Sequence, residues 1–210
     1  MRDFRNNSTR QRSVAARAVP VLLSLAFLAW GDGWEKIRST AGEITSVRAN
    51  FTQRKQMAIL ARPLVSRGTF YFQAPTSLRW EYESPVRSVL LMHNRSVRRY
   101  VERGGRMMSD STARLQSMRV VLQEITMWMK GSFDANPDFT PTLRPGRVIV
   151  LTPKERSMAE FIQRIELRLS ATPGVIRSVM IYESDRSSTL LEFSGVRLNE
   201  KLPDSLFRDL

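Results

Sequence analysis

Apolar residues recur along this chain with a period of three to four residues in two segments and a period of two elsewhere. The first segment predicts one amphipathic helix of about four to five turns, with the apolar positions Trp34, Ile37, Ala41, Ile44, Val47 and Phe51. The second predicts another such helix, with the apolar positions Leu115, Met118, Leu122, Ile125, Met129 and Phe133. The chain is therefore expected to contain two long helices far apart in sequence.

Between and after these helices the apolar period is two, which is typical of strands. Phe70 and Phe72 share one strand face, Leu78, Trp80 and Tyr82 share the face of the next strand, and 74–76 form the turn between them. Further strands are predicted at 86–92, 96–101, 147–152, 161–170, 175–183 and 189–198, whereas the Pro-rich stretch 136–145 has no period and is predicted to be a loop.

The order of these elements indicates the fold class. Short strands joined by tight turns pair antiparallel, because parallel strands need long crossover connections. We therefore predict an α+β fold in which one large curved antiparallel sheet is covered by a few helices. Two separate small α+β domains are the alternative, but the Pro-rich stretch between the two groups of strands does not resemble a free linker.

The N-terminus predicts export. Residues 1–17 carry five Arg and a single acid, Asp3, and the uncharged run Ala18 to Gly31 follows. A membrane-spanning helix needs about 20 apolar residues, so this run favours a signal peptide of the general secretory route over an uncleaved anchor. With cleavage after Gly31, the mature chain is 32–210, and its net charge falls from +13 to +9 because five Arg and one Asp are removed.

The charge and the side-chain chemistry limit the classes of partner and activity that we expect for this protein. The excess of 33 Lys and Arg over 20 Asp and Glu indicates a solvated basic surface or a surface that binds anionic lipid headgroups; export argues against nucleic acid as the partner. The chain has no Cys and a single His, His93, predicted at a hairpin turn. Glu81 and Glu83 share a strand face, where they suit acid–base chemistry or ion pairs with Arg. We predict that the protein is not an enzyme and uses no cofactor or metal.

Four strings of the sequence resemble one family in the same order and spacing. They are RANFTQRKQ from Arg48, GTFYFQAPTSLRWEYESP from Gly68, VLTPKE from Val150 and EFSGVRLNEKLPDSLF from Glu192. Together they cover nearly the whole mature chain and are similar to the LolA family of periplasmic outer-membrane lipoprotein carriers. The resemblance implies a monomeric domain at 32–210, an incomplete, half-open β-barrel whose interior is closed by helices.

The resemblance also implies a function in the periplasm. A carrier of this kind takes acylated lipoproteins from an inner-membrane lipoprotein-releasing complex to an outer-membrane acceptor and holds their acyl chains in an apolar interior. The lipid-binding residues expected here are, on the sheet, Phe70, Phe72, Leu78, Trp80, Tyr82, Leu90 and Met92, and on the helical lid, Leu122, Ile125 and Met129.

One departure from the family pattern and one alternative function bear on this expectation. Family members commonly carry Arg before the Pro of the first hairpin, where it holds the empty lid closed; Ala74 stands there in this chain, so the latch is missing or another Arg supplies it. The alternative function is a periplasmic lipid- or glycolipid-binding or stress-sensing protein on the same half-barrel scaffold.

Overall fold

A computed structural model of the chain describes residues 25–94, 96–110, 122, 124–208 and 210. The chain begins with helix α1 (Leu25–Gly42), followed by strands β1 (Ser46–Gln56), β2 (Leu64–Gln73), β3 (Ser77–Ser84), β4 (Ser88–His93), β5 (Ser96–Arg103) and β6 (Arg106–Ser109). Helix α2 is described over residues 124–129. The remaining elements are β7 (Phe139–Arg144), β8 (Val148–Pro153), α3 (Arg156–Ala159), β9 (Arg164–Leu169), β10 (Ile176–Ser184), β11 (Ser187–Leu198) and α4 (Ser205–Arg208).

Two sequence-based predictions fall largely on residues that the structure does not describe. Residues 1–24 of the predicted signal peptide lie outside the described residues, and the rest of that segment lies in α1. Leu115 and Met118 of the second predicted helix also lie outside them. Within the described part of the chain, none of the helices combines the length and the apolar character needed to cross a bilayer.

All strands belong to one antiparallel sheet of 11 strands in the order β6-β5-β4-β3-β2-β1-β11-β10-β9-β8-β7. The sheet is curved but not closed, since β6 and β7 are its two edges. The predicted α+β fold with a single curved, half-open antiparallel sheet is confirmed. The two-domain alternative is wrong, because β1 pairs with β11 and joins the early strands to the late ones.

Antiparallel pairing places five connections at the same end of the sheet, which we call the loop end. They are β1–β2 (57–63), β3–β4 (85–87), β5–β6 (104–105), β8–β9 (154–163) and β10–β11 (185–186). The opposite end carries the connections 42–45, 74–76, 94–95, 145–147 and 170–175 and the chain that leaves β11.

The first predicted helix was too long. Helix α1 ends at Gly42, and Val47 and Phe51 lie on β1. These two residues are four apart, a spacing that fits a helix face and also one face of a strand. Ala49 is buried between them while Arg48 and Asn50 are exposed, so the period in this segment is two, and tertiary pairing decides the structure.

The predicted loop at 136–145 was also wrong, because it contains strand β7. Phe139 is buried and Pro141 pairs with Leu151 of β8. Proline cannot donate a hydrogen bond to a second neighbour, and β7 has none because it is an edge strand. The short edge strand β6 and helix α3 were not predicted, and the strand predicted at 161–170 begins only at Arg164.

The convex face of the sheet carries a second, smaller apolar contact. Phe207 of α4 is fully buried, as are Val89 and Leu91, which alternate with the concave-facing residues of β4. Arg79 on β3 donates to the Leu206 carbonyl oxygen at 3.1 Å. The C-terminal segment therefore forms a strap across β3 and β4.

The glycine at position 68 supplies the first test of this packing. A Cβ there would lie 1.8 Å from the Glu81 carbonyl oxygen and 3.0 Å from a ring carbon of Phe51. We expect Gly68→Ala to lower the free energy of unfolding in urea by about 2 kcal/mol or more, since the strand backbone has to shift. Gly42→Ala is the matched control, because a Cβ at Gly42 meets nothing within 4 Å. Equal stability of the two variants would show that β2 and β3 are not packed as described.

Candidate functional site

The concave face of the sheet is an apolar wall built from both halves of the chain. Alternation along each strand directs every second side chain towards the helices. On β2 to β4 the wall consists of Phe70, Phe72, Leu78, Trp80, Leu90 and Met92, and on β8 to β11 of Ile149, Leu151, Ile165, Leu167, Val179 and Leu191. All belong to a single cluster of buried residues.

Every residue predicted from the sequence to bind lipid lies in this cluster or, in the case of Tyr82, packs against it. The sheet residues from Phe70 to Met92 are buried, and Tyr82 is partly buried and packs against them. Leu122, Ile125 and Met129 join the same cluster from the helical side. The structure therefore brings the predicted wall and lid together, while their contact with lipid stays a prediction.

Five rings form an aromatic cluster at the centre of the wall: Phe51, Phe70, Trp80, Tyr82 and Phe193. The Phe51 ring meets Trp80 and Tyr82 edge-on at centroid distances of 5.4 and 5.0 Å. Phe70 meets Trp80 at 5.4 Å and Phe193 at 5.8 Å, also edge-on. These are favourable arrangements for aromatic pairs, so the cluster joins β1, β2, β3 and β11 into a rigid platform.

Helices α1 and α2 cover the wall and contact each other closely. A Cβ at Gly131, just after α2, would lie 2.9 Å from the Ala41 Cβ of α1, and Gly131 has φ +74°. Only a residue without a side chain fits this approach. Arg38 of α1 also forms an ion pair with Asp134. The two helices therefore form one cover over the wall.

The cover is in turn seated on the sheet at the turn between β9 and β10. A Cβ at Gly174 would lie 2.8 Å from the Ala41 Cβ, so the end of α1 touches this turn. Beside it is a cavity of about 20 Å³, lined by residues that include Val47, Phe70 and Met129. A cavity of this size has room for about one water molecule, so the described residues leave little space in this part of the interior while the helices are in place.

The wall becomes polar towards the loop end. Tyr82, two residues after Trp80, donates from its hydroxyl to Gln53 Oε1 at 2.8 Å. At the edge of the sheet, level with Trp80 in the strand register, Arg99 on β5 donates to Asp110 Oδ2 at 2.8 Å, and Asp110 is buried where the chain leaves β6. This ion pair holds the start of the connection to α2 against the sheet.

A second polar group lies across the same part of the sheet. Glu183 accepts a hydrogen bond from Thr189 at 2.8 Å and from Lys55 at 3.2 Å. The concave face thus has an apolar part beneath the helices and a polar part towards the loop end.

The buried indole of Trp80 carries a polar atom without a partner. Trp80 is 7 % exposed, and its Nε1 has no hydrogen-bond acceptor among the described residues. An unsatisfied buried donor costs about 1–3 kcal/mol. The aromatic cluster therefore contains a donor that an acceptor entering the interior would satisfy.

The residues considered for catalysis have structural partners. Glu81 forms ion pairs with Arg79 and Arg87, and Glu83 accepts a hydrogen bond from Thr69. His93 ends β4, and its Nδ1 lies 2.9 Å from Ser77 Oγ. Among the described residues, no three His, Cys, Asp or Glu side chains are grouped so that they could hold a metal ion.

Several wall residues were not predicted from the sequence. Phe51 was placed on a helix, Phe193 and Trp128 were not singled out, and the wall of β8 to β11 was left out. The signal was present in the alternation Leu191, Phe193 on β11 and Ile165, Leu167, Leu169 on β9. What the sequence did not reveal was which face of each late strand turns towards the helices.

Titration of Tyr82 tests the burial of the aromatic cluster. Burial raises the pKa of Tyr82 from 10.0 to about 12, against the opposing effect of Arg99. Since the folded state holds the phenol proton more tightly, this stabilisation is complete below pH 10 and is lost as the pH rises towards about 12. We expect the unfolding free energy of the wild type to fall over this interval by up to about 2 kcal/mol more than that of Tyr82→Phe, measured by urea unfolding. Parallel pH profiles would contradict a buried phenol.

The chain is similar to several proteins of known structure at low sequence identity. Comparison with curated protein sequences gives no match. Solved structures with a similar chain path include a DUF1329 family protein from Desulfovibrio piger, with 10% identity, a TM-score of 0.46, and coverage of 84% of this chain and 96% of that one. A LolA superfamily protein from Nitrosomonas europaea has 16% identity, a TM-score of 0.40 and coverage of 83% and 97%. The lipoprotein LppX of Mycobacterium tuberculosis has 13% identity, a TM-score of 0.45 and coverage of 82% and 98%.

The family model described as outer membrane lipoprotein carrier protein LolA matches residues 42–209, which contain the whole sheet, α2 and the C-terminal strap. With a half-open sheet around an apolar interior and this match over most of its length, the chain belongs to the LolA family.

Proposed function

We propose that this protein is a periplasmic carrier that binds the acyl chains of lipoproteins between the concave wall and the helical cover. The observation that carries the proposal is the continuous apolar wall closed by two helices that pack on it and contact each other. Membership of the LolA family supports it.

The physical requirement for such a carrier is a large apolar surface that can be hidden. Each methylene of an acyl chain moved from water into an apolar environment contributes about 0.8 kcal/mol, so several chains need a wall of matching area. The same wall has to be kept from water when no cargo is bound, because an exposed patch of this kind leads to association. The wall with its cover meets both requirements.

Loading in this proposal requires the cover to move. The closed interior holds a cavity of about 20 Å³, far below the volume of an acyl chain. Because α1 and α2 meet at Ala41 and Gly131 and share the Arg38–Asp134 ion pair, they would leave the wall as a unit. The contact of Ala41 with Gly174 would be broken in the process.

The path of the cargo follows from the family. The protein would be exported with residues 1–31 as its signal peptide, receive lipoproteins from an inner-membrane lipoprotein-releasing complex and deliver them to an outer-membrane acceptor. The polar part of the concave face, with Gln53, Tyr82 and Glu183, would lie beside the polar part of the cargo, since apolar tails fill the region beneath the helices.

Native mass spectrometry is the direct test. The protein purified from the periplasm of a secreting host is expected to carry acylated peptide or lipid, and the emptied protein is expected to bind a synthetic triacylated cysteine peptide. Repeated isolation of empty protein that also fails to bind this peptide would contradict the proposal. Binding of free lipid or glycolipid without any affinity for the peptide would favour a lipid-binding role on the same scaffold.

A pair of variants locates the binding surface. Phe193 is half-buried on the concave face, whereas Tyr71 is half-buried on the convex face beside Arg48. Burial of a Phe side chain is worth about 1.5–3 kcal/mol, so Phe193→Asn is expected to weaken binding of the triacylated peptide about tenfold or more. Tyr71→Asn makes a similar change on the other side of the sheet and is expected to leave the affinity within about twofold. Equal effects would place the cargo elsewhere.

The unpartnered indole of Trp80 gives a finer prediction. An ester carbonyl of the cargo would accept its N–H, a hydrogen bond worth about 1 kcal/mol. The wild type should then bind an ester-linked diacylglyceryl peptide about fivefold more tightly than its ether-linked analogue. Trp80→Phe keeps an apolar ring and removes the donor, so this variant should bind the two peptides equally. An unchanged preference in Trp80→Phe would show that the indole N–H does not contact the ester.

A further inference from the structure

The loop end of the sheet exposes large apolar side chains to solvent. Six such side chains are exposed among the described residues, and four lie here. Ile59 in the β1–β2 connection is 87 % exposed, Phe161 in the β8–β9 connection 74 %, and Val86 in the β3–β4 connection 56 %. Leu64, the first residue of β2, is 45 % exposed. Folding leaves these side chains in water on three separate connections.

The same connections carry the positive charge. Residues 57–63, 85–87, 104–105, 154–163 and 185–186 contain five basic and three acidic residues, a net charge of +2, and two further basic residues, Arg103 and Arg106, flank 104–105. The connections 42–45, 74–76, 94–95, 145–147, 170–175 and 199–204 at the opposite end contain three basic and three acidic residues, a net charge of zero. Exposed apolar groups and cations are therefore concentrated at one end of the molecule.

Each exposed apolar tip has an arginine close to it in sequence. Ile59 is the centre of the uncharged run Met57 to Ala61, and Arg62 follows. Val86 is followed directly by Arg87. Arginine binds phosphate through two parallel hydrogen bonds, whereas isolated Ile and Phe side chains partition into the boundary between headgroups and acyl chains. The two kinds of side chain together match the chemistry of a lipid surface.

We propose that the loop end docks on the surface of an anionic lipid bilayer, with Ile59 and Phe161 inserted at the headgroup boundary and the nearby arginines bound to lipid phosphates. A bilayer fits better than a protein partner because the apolar side chains occur singly at the tips of separate connections, interspersed with cations. A protein interface has a contiguous apolar core with little charge. This surface does not depend on the interior or on its cargo.

The expected strength of docking is modest. Each cation near an anionic membrane and each inserted methylene strengthens the association by a modest factor. A few such contacts give reversible association, which rises with the anionic lipid content and falls with salt, since exposed charges are screened. A soluble protein that returns repeatedly to a membrane requires this kind of binding.

Vesicle co-sedimentation tests the proposal with the full chain. The protein is expected to bind phosphatidylcholine vesicles that contain about a third phosphatidylglycerol and to bind pure phosphatidylcholine vesicles about tenfold more weakly. The double variant Ile59→Ser, Phe161→Ser should reduce binding to the anionic vesicles about tenfold. The double variant Arg62→Gln, Arg87→Gln should reduce it to a similar extent and remove most of its salt dependence.

Matched controls use exposed residues outside the loop end. Leu210→Ser removes an apolar side chain that is 56 % exposed beyond α4, and the double variant Arg147→Gln, Lys201→Gln removes two cations of the opposite end. Both should bind vesicles like the wild type. All these variants share the apolar stretch 18–31, so differences between them do not arise from it.

Two outcomes would overturn the proposal. One is a wild type that does not bind anionic vesicles. The other is loop-end variants that bind them as the wild type does; a loss of binding to a membrane protein in those variants, with vesicle binding unchanged, would assign the surface to a protein partner instead. The variants are expected to keep their affinity for the triacylated peptide, so failure of docking is distinguishable from failure of the carrier function.

Discussion

Packing of α1 and α2 against the concave wall is the contact on which the other features depend. The wall draws apolar side chains from strands on both sides of the central pair β1 and β11, and without a cover it would be one large apolar patch in water. The helices satisfy this constraint by packing apolar side chains on the wall, and the approach of Ala41 to Gly174 fixes the end of α1 on the sheet. In the proposed carrier, acyl chains take the place of the helical side chains on the wall at little net cost in free energy, because one apolar contact is exchanged for another.

The parts of the fold that could be predicted from the sequence are those in which local pattern and tertiary structure agree. The alternation from Phe70 to Tyr82 and the turn at 74–76 predicted β2 and β3. The local alternation and the pairing of the two strands assign the same side chains to the same face. Val47 and Phe51 were misassigned because a spacing of four fits both a helix and a strand, and the choice is made by pairing with β2 and β11. Strand β7 was missed because Pro141 is unfavourable in a strand unless that strand lies at an edge, which only the topology decides.

In the candidate site, too, the apolar residues could be predicted from the local pattern, whereas the polar contacts depend on the tertiary structure. The wall and lid residues chosen from the sequence all lie in or against the buried cluster, since large apolar side chains on alternating positions have few other places to go. The partners of individual polar atoms could not be predicted. The Tyr82–Gln53 and Arg99–Asp110 hydrogen bonds depend on strand register, and whether a described residue offers the Trp80 indole an acceptor depends on the whole aromatic cluster. The volume left in the interior is the small difference between the space that the sheet and helices enclose and the volume that their side chains fill. Sequence patterns do not determine this difference.

The two ends of the sheet are suited to different tasks. Beneath the helices the concave face is apolar, whereas towards the loop end it becomes polar and the connections themselves carry exposed apolar tips and cations. The contacts of Arg87 show how the loop end is joined to the rest of the molecule: Arg87 pairs with Glu81, Glu81 pairs with Arg79, and Arg79 donates to the Leu206 carbonyl oxygen of the strap. This series runs along the convex face, on the other side of the sheet from the wall. These contacts therefore connect the β3–β4 connection to the C-terminal strap, and the thickness of the sheet separates both from the interior.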